Sequence, residues 1–433
     1  MKNQHLRHTN KKIGALISFT LVIVLCTSQK LHAQFTVSAE LRPRLEIRDG
    51  FMTLPTPDSK PAIFVSQRSR LNIGYAQKKF SLRVSLQDVR VWGDEEQVKD
   101  IAGVAVHEAY GQIQFSDKIF LRAGRQELVY DDERLLGNSN WNQPGRSHDA
   151  ALLRYADKGW TADVAGAFSQ QQENLFGTDY TLNTYKVLSF ARVSKTIENK
   201  YKAVALFIAD GFQGTDSTKD LFMRYTYGVN GEYHFGSVKL VGIFYDQSGT
   251  DVSNKSISAY LFSLQAYQNS KKFMAGIGDD YLSGNNALDP SDHKFRTFNT
   301  LYATNHPLYG HIDYFSNIPA DTKNGGLMDA YAKLKYIFND KAAIYLDYHY
   351  FSLTGKVADP EIADKTINSY LGSEVDLWFI YKITDGLELR PGISQMFATE
   401  SMNVLKGGGK ALSGTWGYVQ LTFTPTLFRS EQK

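Results

Sequence analysis

From residue 37 onward the chain alternates. In the stretch from Val37 to Arg48, Val37, Ala39, Leu41, Pro43, Leu45 and Ile47 fall on one face, and Ser38, Glu40, Arg42, Arg44, Glu46 and Arg48 on the other. A two-residue period sends successive side chains to opposite faces of a β-strand. Five charges on one face of a single strand would each need a partner in a dry core, whereas a water-filled lumen accommodates them. The pattern recurs. Leu71, Ile73 and Tyr75 oppose Arg68, Arg70 and Asn72; Phe80, Leu82, Val84 and Leu86 oppose Arg83, Ser85 and Gln87; Ala109, Ile113 and Phe115 oppose Glu108, Tyr110, Gln112 and Gln114. Leu121 and Ala123 alternate with Arg122 and Gly124, and Ala150 and Leu152 precede Arg154. Between these last two strands the chain from about Val129 to Ser147 is rich in Asn, Gly, Asp and Arg, the composition of a loop in water.

Further strands are predicted near 159–170, 184–194, 200–210, 221–235, 237–247, 256–269, 271–282, 308–317, 326–338, 341–354, 369–383, 386–398 and 414–424, with no competing helical period. Tight turns such as 77–79, 116–118 and 157–158 alternate with long connections such as 93–103, 129–147 and 283–307. Short periplasmic turns and long extracellular loops follow one another in this way in outer-membrane barrels. The raw pattern gives one candidate more than an even count allows, and 295–325 is where the ambiguity lies. The expectation is an all-β fold, a transmembrane antiparallel β-barrel of about 18 strands, within a range of 16 to 20. Its last strand would turn Val419, Leu421 and Phe423 outward, with Pro425 and a tail beyond.

Residues 1–33 read differently. Lys2, Arg7, Lys11 and Lys12 precede an apolar run from Ile13 to Cys26, and Leu31-His32-Ala33 offers a cleavage site, so 1–33 is expected to be a signal peptide and 34–433 the barrel domain. Cys26 is the single cysteine, which leaves 34–433 with no disulfide, thiolate metal site or thiol chemistry. Five basic residues and no acidic one lie in 1–33, so the formal charge of +3 falls to −2 without them. That balance gives no support to a nucleic-acid partner. Aromatic residues make up 13% of the chain, with 25 Tyr and 26 Phe, a supply suited to girdles at the two membrane interfaces.

Several stretches carry a family likeness: Gly124-Arg-Gln-Glu-Leu128 with the Asp/Asn-rich loop after it, Asp280-Tyr-Leu-Ser-Gly284, Leu301 through Phe315, Leu371-Gly-Ser-Glu-Val-Asp-Leu377, and Ser394-Gln-Met-Phe-Ala-Thr-Glu400. In these the sequence resembles the alginate export family of outer-membrane porins, in particular homologues from Bacteroidetes-type bacteria. The resemblance implies a monomeric 18-stranded barrel with a basic constriction that passes anionic polyuronate out of the periplasm. By position it implies Arg68, Arg70, Arg122, Arg125 and Arg154 as that constriction, with Arg42, Arg44 and Arg146 as additions and Glu40, Glu108 and Asp149 as their acidic partners. Outer-membrane lipid, lipopolysaccharide and the barrel assembly machinery are the implied partners.

Guanidinium groups stay charged at every relevant pH and hold carboxylates through paired hydrogen bonds. Several in one channel attract anions and pass them between weak sites; alternatively they are ordinary lumen residues paired with Glu and Asp. Asp131-Asp132-Glu133 and Asp279-Asp280 match no calcium loop and read as solvated loop charge. His107, His148, His306 and His311 form no ligand pattern and read as strand-end hydrogen-bonding residues. Neither a metal nor a cofactor is expected. Catalysis finds no footing: Ser147 and His148 are neighbours on a strand entry and point apart, and G-x-S-x-G is missing. The functions left are a channel for anionic polysaccharide or related polar solutes, a general porin, or a plugged structural or adhesin barrel.

Overall fold

The computed structural model describes residues 33–430 apart from 100, 181, 183, 215–218, 290, 410 and 411. Apart from Ala33, the segment read as a signal peptide lies outside the described residues. The strands in chain order begin with β1 (Gln34–Asp49), β2 (Ala62–Gln77), β3 (Phe80–Val91), β4 (Val104–Ser116), β5 (Ile119–Gln126) and β6 (His148–Asp157). They continue with β7 (Trp160–Phe168), β8 (Val187–Ile197), β9 (Tyr201–Gln213), β10 (Leu221–Phe235), β11 (Val238–Thr250) and β12 (Ser256–Asn269). After β13 (Phe273–Leu282) a long loop carries the short helix α1 (Ile318–Asp321), and β14 (Leu327–Asn339), β15 (Ala342–Ser352), β16 (Tyr370–Thr384) and β17 (Leu387–Ala398) follow. A second helix, α2 (Glu400–Lys406), precedes β18, which runs as Ser413–Phe423 and resumes as Thr426–Arg429.

Each strand pairs antiparallel with the next, and β1 closes the ring on β18 through pairs such as Leu45↔Val419. The break in β18 falls at Pro425, which has no N–H to give a ladder. Pairing then continues as Val37↔Phe428 after a register shift between Val37 and Ser38. Counted as one interrupted strand, β18 completes a closed 18-strand barrel, as the alternation predicts. Eight turns of two or three residues sit at the end that holds Gln34, and the long loops sit at the other.

The outward face is apolar. Ile63, Val104, Ile113, Val164, Val229, Leu264 and Ile277 all lie more than half exposed, a belt that lipid covers. Phe115, Trp160, Tyr233, Phe235, Phe273, Tyr336 and Phe338 gather beside the short turns as an aromatic girdle. The inward face departs from the expected open lumen. Leu188, Phe190, Leu206, Ile208, Ile243, Leu261, Leu282, Leu327 and Phe351 are buried wall residues, and they join one apolar cluster with Phe298, Tyr309, Ile312, Tyr314, Phe315 and Ile318 of the 283–326 loop.

The predicted strand 308–317 is therefore not a strand. It is the deepest part of that loop, with every residue from 309 to 315 buried. Its alternation of Leu308, Gly310, Ile312 and Tyr314 imitates a strand, yet both of its faces are covered, one by wall and one by loop. Removing it from the candidates leaves the 18 strands observed.

A candidate pore closed by two inward loops

The loop 127–147 has no ladder to satisfy its carbonyl groups, and four wall arginines take them up. Arg42 donates to Asn140 O at 2.8 Å, to Trp141 O at 3.3 Å, to Asn142 O at 3.2 Å and to Gln143 Oε1 at 3.0 and 3.1 Å. Arg44 donates to Trp141 O at 2.9 Å and lies 4.1 Å over the Trp141 ring. Arg68 bonds Glu40 at 2.6 Å, Asn140 Oδ1 at 2.7 Å and Gln143 O at 3.3 Å; Arg70 bonds Gln87 at 2.8 Å and Pro144 O at 3.2 Å. All four are buried, Arg68 to 1% exposure. This corrects the expected display of these groups to water: they grip a loop.

The base of the loop is clasped by a chain that sequence reasoning missed. Ser147 Oγ lies 3.3 Å from His107 Nδ1, and His107 Nε2 lies 2.7 Å from Glu127 Oε1. Glu127 begins the loop and Ser147 ends it, so the β4 histidine holds its two ends together. From there the loop reaches across the barrel. Asp131 receives Arg192 of β8 at 2.7 Å and Lys202 of β9 at 2.9 Å. Arg134 bonds Asp132 at 3.0 Å, Asp280 of β13 at 2.6 Å and the Tyr309 hydroxyl at 3.1 Å. Asp131, Asp132 and Asp280 are thus paired with cations, a correction to their reading as solvated charge. The sequence signal for Arg134 was its place in an Asp-rich loop, opposite a carboxylate on an inward strand position.

The second loop, 283–326, completes the closure. Arg146 joins the two loops by donating to Gly137 O at 3.2 Å, Ala303 O at 2.9 Å and Tyr302 O. Backbone bonds from Gly137 N to Tyr302 O (2.9 Å) and from Tyr302 N to Leu135 O (3.0 Å) reinforce the joint. Trp141 stacks on His306 at 4.3 Å and His306 on His311 at 4.7 Å. His306 also bonds Asp313 at 2.9 Å, so these two histidines serve inside a loop and not at strand ends. Burial holds His311 neutral, its pKa pushed down to about 3 against a smaller opposing pull from Asp376.

Two cavities flank the loop 127–147. The one toward the long-loop end, about 590 Å³, is lined by Arg44, Glu46, Arg48 and Arg146 among others. The one toward the short turns, about 330 Å³, is lined by Arg83, Glu108, Tyr110, Arg122, Glu127, Tyr130 and Arg154. There Arg83 pairs with Glu108 at 2.6 Å, and Arg154 holds Asp163 through bonds of 2.5 and 3.0 Å. Arg122 bonds only a neutral acceptor, Gln112 Oε1, at 3.0 and 3.2 Å, and forms no ion pair among the described residues.

Arg125 and Asp149 depart from the expected constriction. They pair with each other at 3.1 Å on the outward face, with side chains 42% and 71% exposed. The two-residue period already puts Arg125 with Leu121, opposite Arg122, and Asp149 opposite Arg154. Of the residues expected at the pore, the structure thus brings Arg42, Arg44, Arg68, Arg70, Arg146 and Glu40 together at the first loop. Arg122, Arg154 and Glu108 gather at the smaller cavity, and Arg125 and Asp149 lie outside.

Residues 34–171 match the model of the alginate export family. The matched segment spans β1 through β7 and holds the arginine arc, the first loop and Arg122. Solved structures share the whole fold: Pseudomonas aeruginosa OccK9 (OpdG) superposes with TM-score 0.60 at 12% identity, over 91% of this chain and 98% of that one. Acinetobacter baumannii OccAB4 gives 0.61 at 12% over 91% and 98%, and the outer membrane protein opdK from Pseudomonas aeruginosa gives 0.61 at 9% over 91% and 99%. No protein of curated function matches the chain. With its apolar outer belt and closed 18-strand wall, the chain has the fold of an outer-membrane β-barrel.

Proposed function

We propose that this barrel conducts anionic saccharides, polyuronates of the alginate kind among them, and that the two inward loops set its resting state. The observation that carries the reading is Arg122, an inward guanidinium at the smaller cavity that forms no ion pair among the described residues. A passing carboxylate would take the partner that Glu108 supplies to Arg83 and Asp163 supplies to Arg154. The family match over residues 34–171 supports the same solute class. The residues expected as a wider constriction, Arg42, Arg44, Arg68 and Arg70, hold loop carbonyls that a carboxylate could replace in kind.

Planar-bilayer recording of the refolded protein tests this. Anion-preferring conductance, blocked by an oligouronate and several-fold less blocked in R122A, is the expected result. Conductance with no ion preference and no block would leave a general porin. A second reading, a permanently plugged barrel, draws on the dry packing of loop 283–326, and absence of conductance at every voltage would favour it.

A further inference from the structure

The seat of the second loop holds two carboxyl groups that the channel reading does not use. Glu374 and Asp376 occupy successive inward positions of β16, and both are fully buried. They lie within hydrogen-bond reach of each other. Two carboxylates have no donor to share, so the contact requires one proton between them. Apart from the Ser394 hydroxyl of β17, which is within reach of Asp376, no other N–H or O–H among the described residues is placed at either Asp376 oxygen or at Glu374 Oε2.

The loop rests directly on this pair. Ile312 N–H donates to Glu374 Oε1 at 2.9 Å. Gly310 has φ +85°, and a Cβ there would come within 2.7 Å of the same oxygen, so backbone lies against the carboxyl group with no room between. We propose that the Glu374–Asp376 pair and its shared proton form a pH-sensitive latch, which keeps segment 310–312 seated while protonated and releases it when the proton is lost.

The surroundings decide the direction. Facing the pair are His311, Asp313 and Tyr314 from the loop, Asp347 and His349 from β15 and Tyr418 from β18, and beside these groups stand His306 of the loop, Asp329 and Lys333 of β14 and Asp49 of β1. The cations are already engaged: Lys333 holds Asp347 at 2.9 Å, and His349 holds Asp329 at 2.9 Å while standing 3.8 Å from Asp376. When the shared proton passes to water, a second negative charge is left without a counterion in a dry seat. Such a charge demands hydration, and the segment over it must lift to admit water.

The latch uses the channel reading only where its effect is measured as current. The test compares wild type with E374Q between about pH 5 and pH 10, following both bilayer conductance and amide-exchange protection of residues 309–315 relative to the free-peptide rate at each pH. The glutamine keeps an acceptor for Ile312 and offers Asp376 a permanent N–H in place of the proton. Wild type is expected to lose protection and gain current on the alkaline side, the open-to-closed ratio rising by at most about tenfold per pH unit, the slope of one proton. E374Q is expected to stay flat there, and D376N provides the same check should E374Q fail to fold. Protection that does not change on the alkaline side in wild type, or that changes there alike in wild type and E374Q, would overturn the latch. Loss of protection without current would keep the latch and overturn the channel.

Discussion

The two loops that close the barrel are held by different chemistry. Loop 127–147 is held chiefly by guanidinium groups of β1 and β2 on carbonyl oxygens, and loop 283–326 chiefly by rings and methyl groups packed into the apolar cluster of the wall. Polar grips can exchange one partner for another, since water, a hydroxyl or a carboxylate can each replace a loop carbonyl. An apolar seat has no such substitute and opens only by exposing its surface. On the proposed channel reading, the first loop is accordingly the one a solute would negotiate with, and the second would be the seal. Arg134 crosses from one to the other, and its ion pair with Asp280 is where the two kinds of holding meet.

Breaking the apolar seat should have the largest effect. Phe315 is buried against Phe351, ring centres 4.8 Å apart, and Phe315→Ala is expected to cost about 3–5 kcal/mol of loop seating. Urea titrations read by amide exchange should show the loop releasing well before the wall; release together with the wall would erase the distinction between seal and barrel. Next comes Arg134→Leu, which strands Asp280 inside and should cost about 3 kcal/mol. Adding Asp280→Asn should recover part of that loss, and a double variant as unstable as the single one would show the pair to be incidental.

Acid provides a gentler test. His311 is neutral when seated and takes up a proton when freed, so the released state binds more protons below its ordinary pKa. Seating is then full above about pH 6.5 and weakens as pH falls toward 3, by roughly 1 kcal/mol at pH 5.5. His311→Gln should flatten this acid limb, and an unchanged limb would remove His311 from the account. The smallest effect belongs to Arg125→Ala. Its exposed outward pair with Asp149 should contribute within about 0.5 kcal/mol, and ion selectivity should stay as in wild type; a selectivity change would return Arg125 to the pore.

The wall was legible in the sequence because lipid and lumen impose a strict alternation on every strand. Val419, Leu421 and Phe423 were read as outward, and Val419 is exposed there. What the alternation could not show was the content of the lumen. Segment 308–317 carries a period of two for reasons of local packing, and nothing in its own residues says that no neighbouring strand is there to pair with it. The arginines were found as inward groups, since Arg42, Arg44, Arg68 and Arg70 sit opposite apolar neighbours. Their partners, Asn140 to Pro144 of a loop about a hundred residues away in β1's case, are a long-range fact that spacing does not encode. Arg125 was the reverse case: periodicity placed it outward, and family likeness had drawn it in.

The contacts that close this barrel also carry a chronology. Wall bonds join strands adjacent in sequence, save at the β1–β18 seam, whereas Arg134 meets Asp280 across 146 residues and Tyr309 across 175. Loop closure over such spans is slow and has to wait until the strands that frame it are in place. The loops are therefore expected to seat after the neighbouring strands have paired, and amide protection of residues 309–315 that lags that of the wall hairpins on refolding would show it.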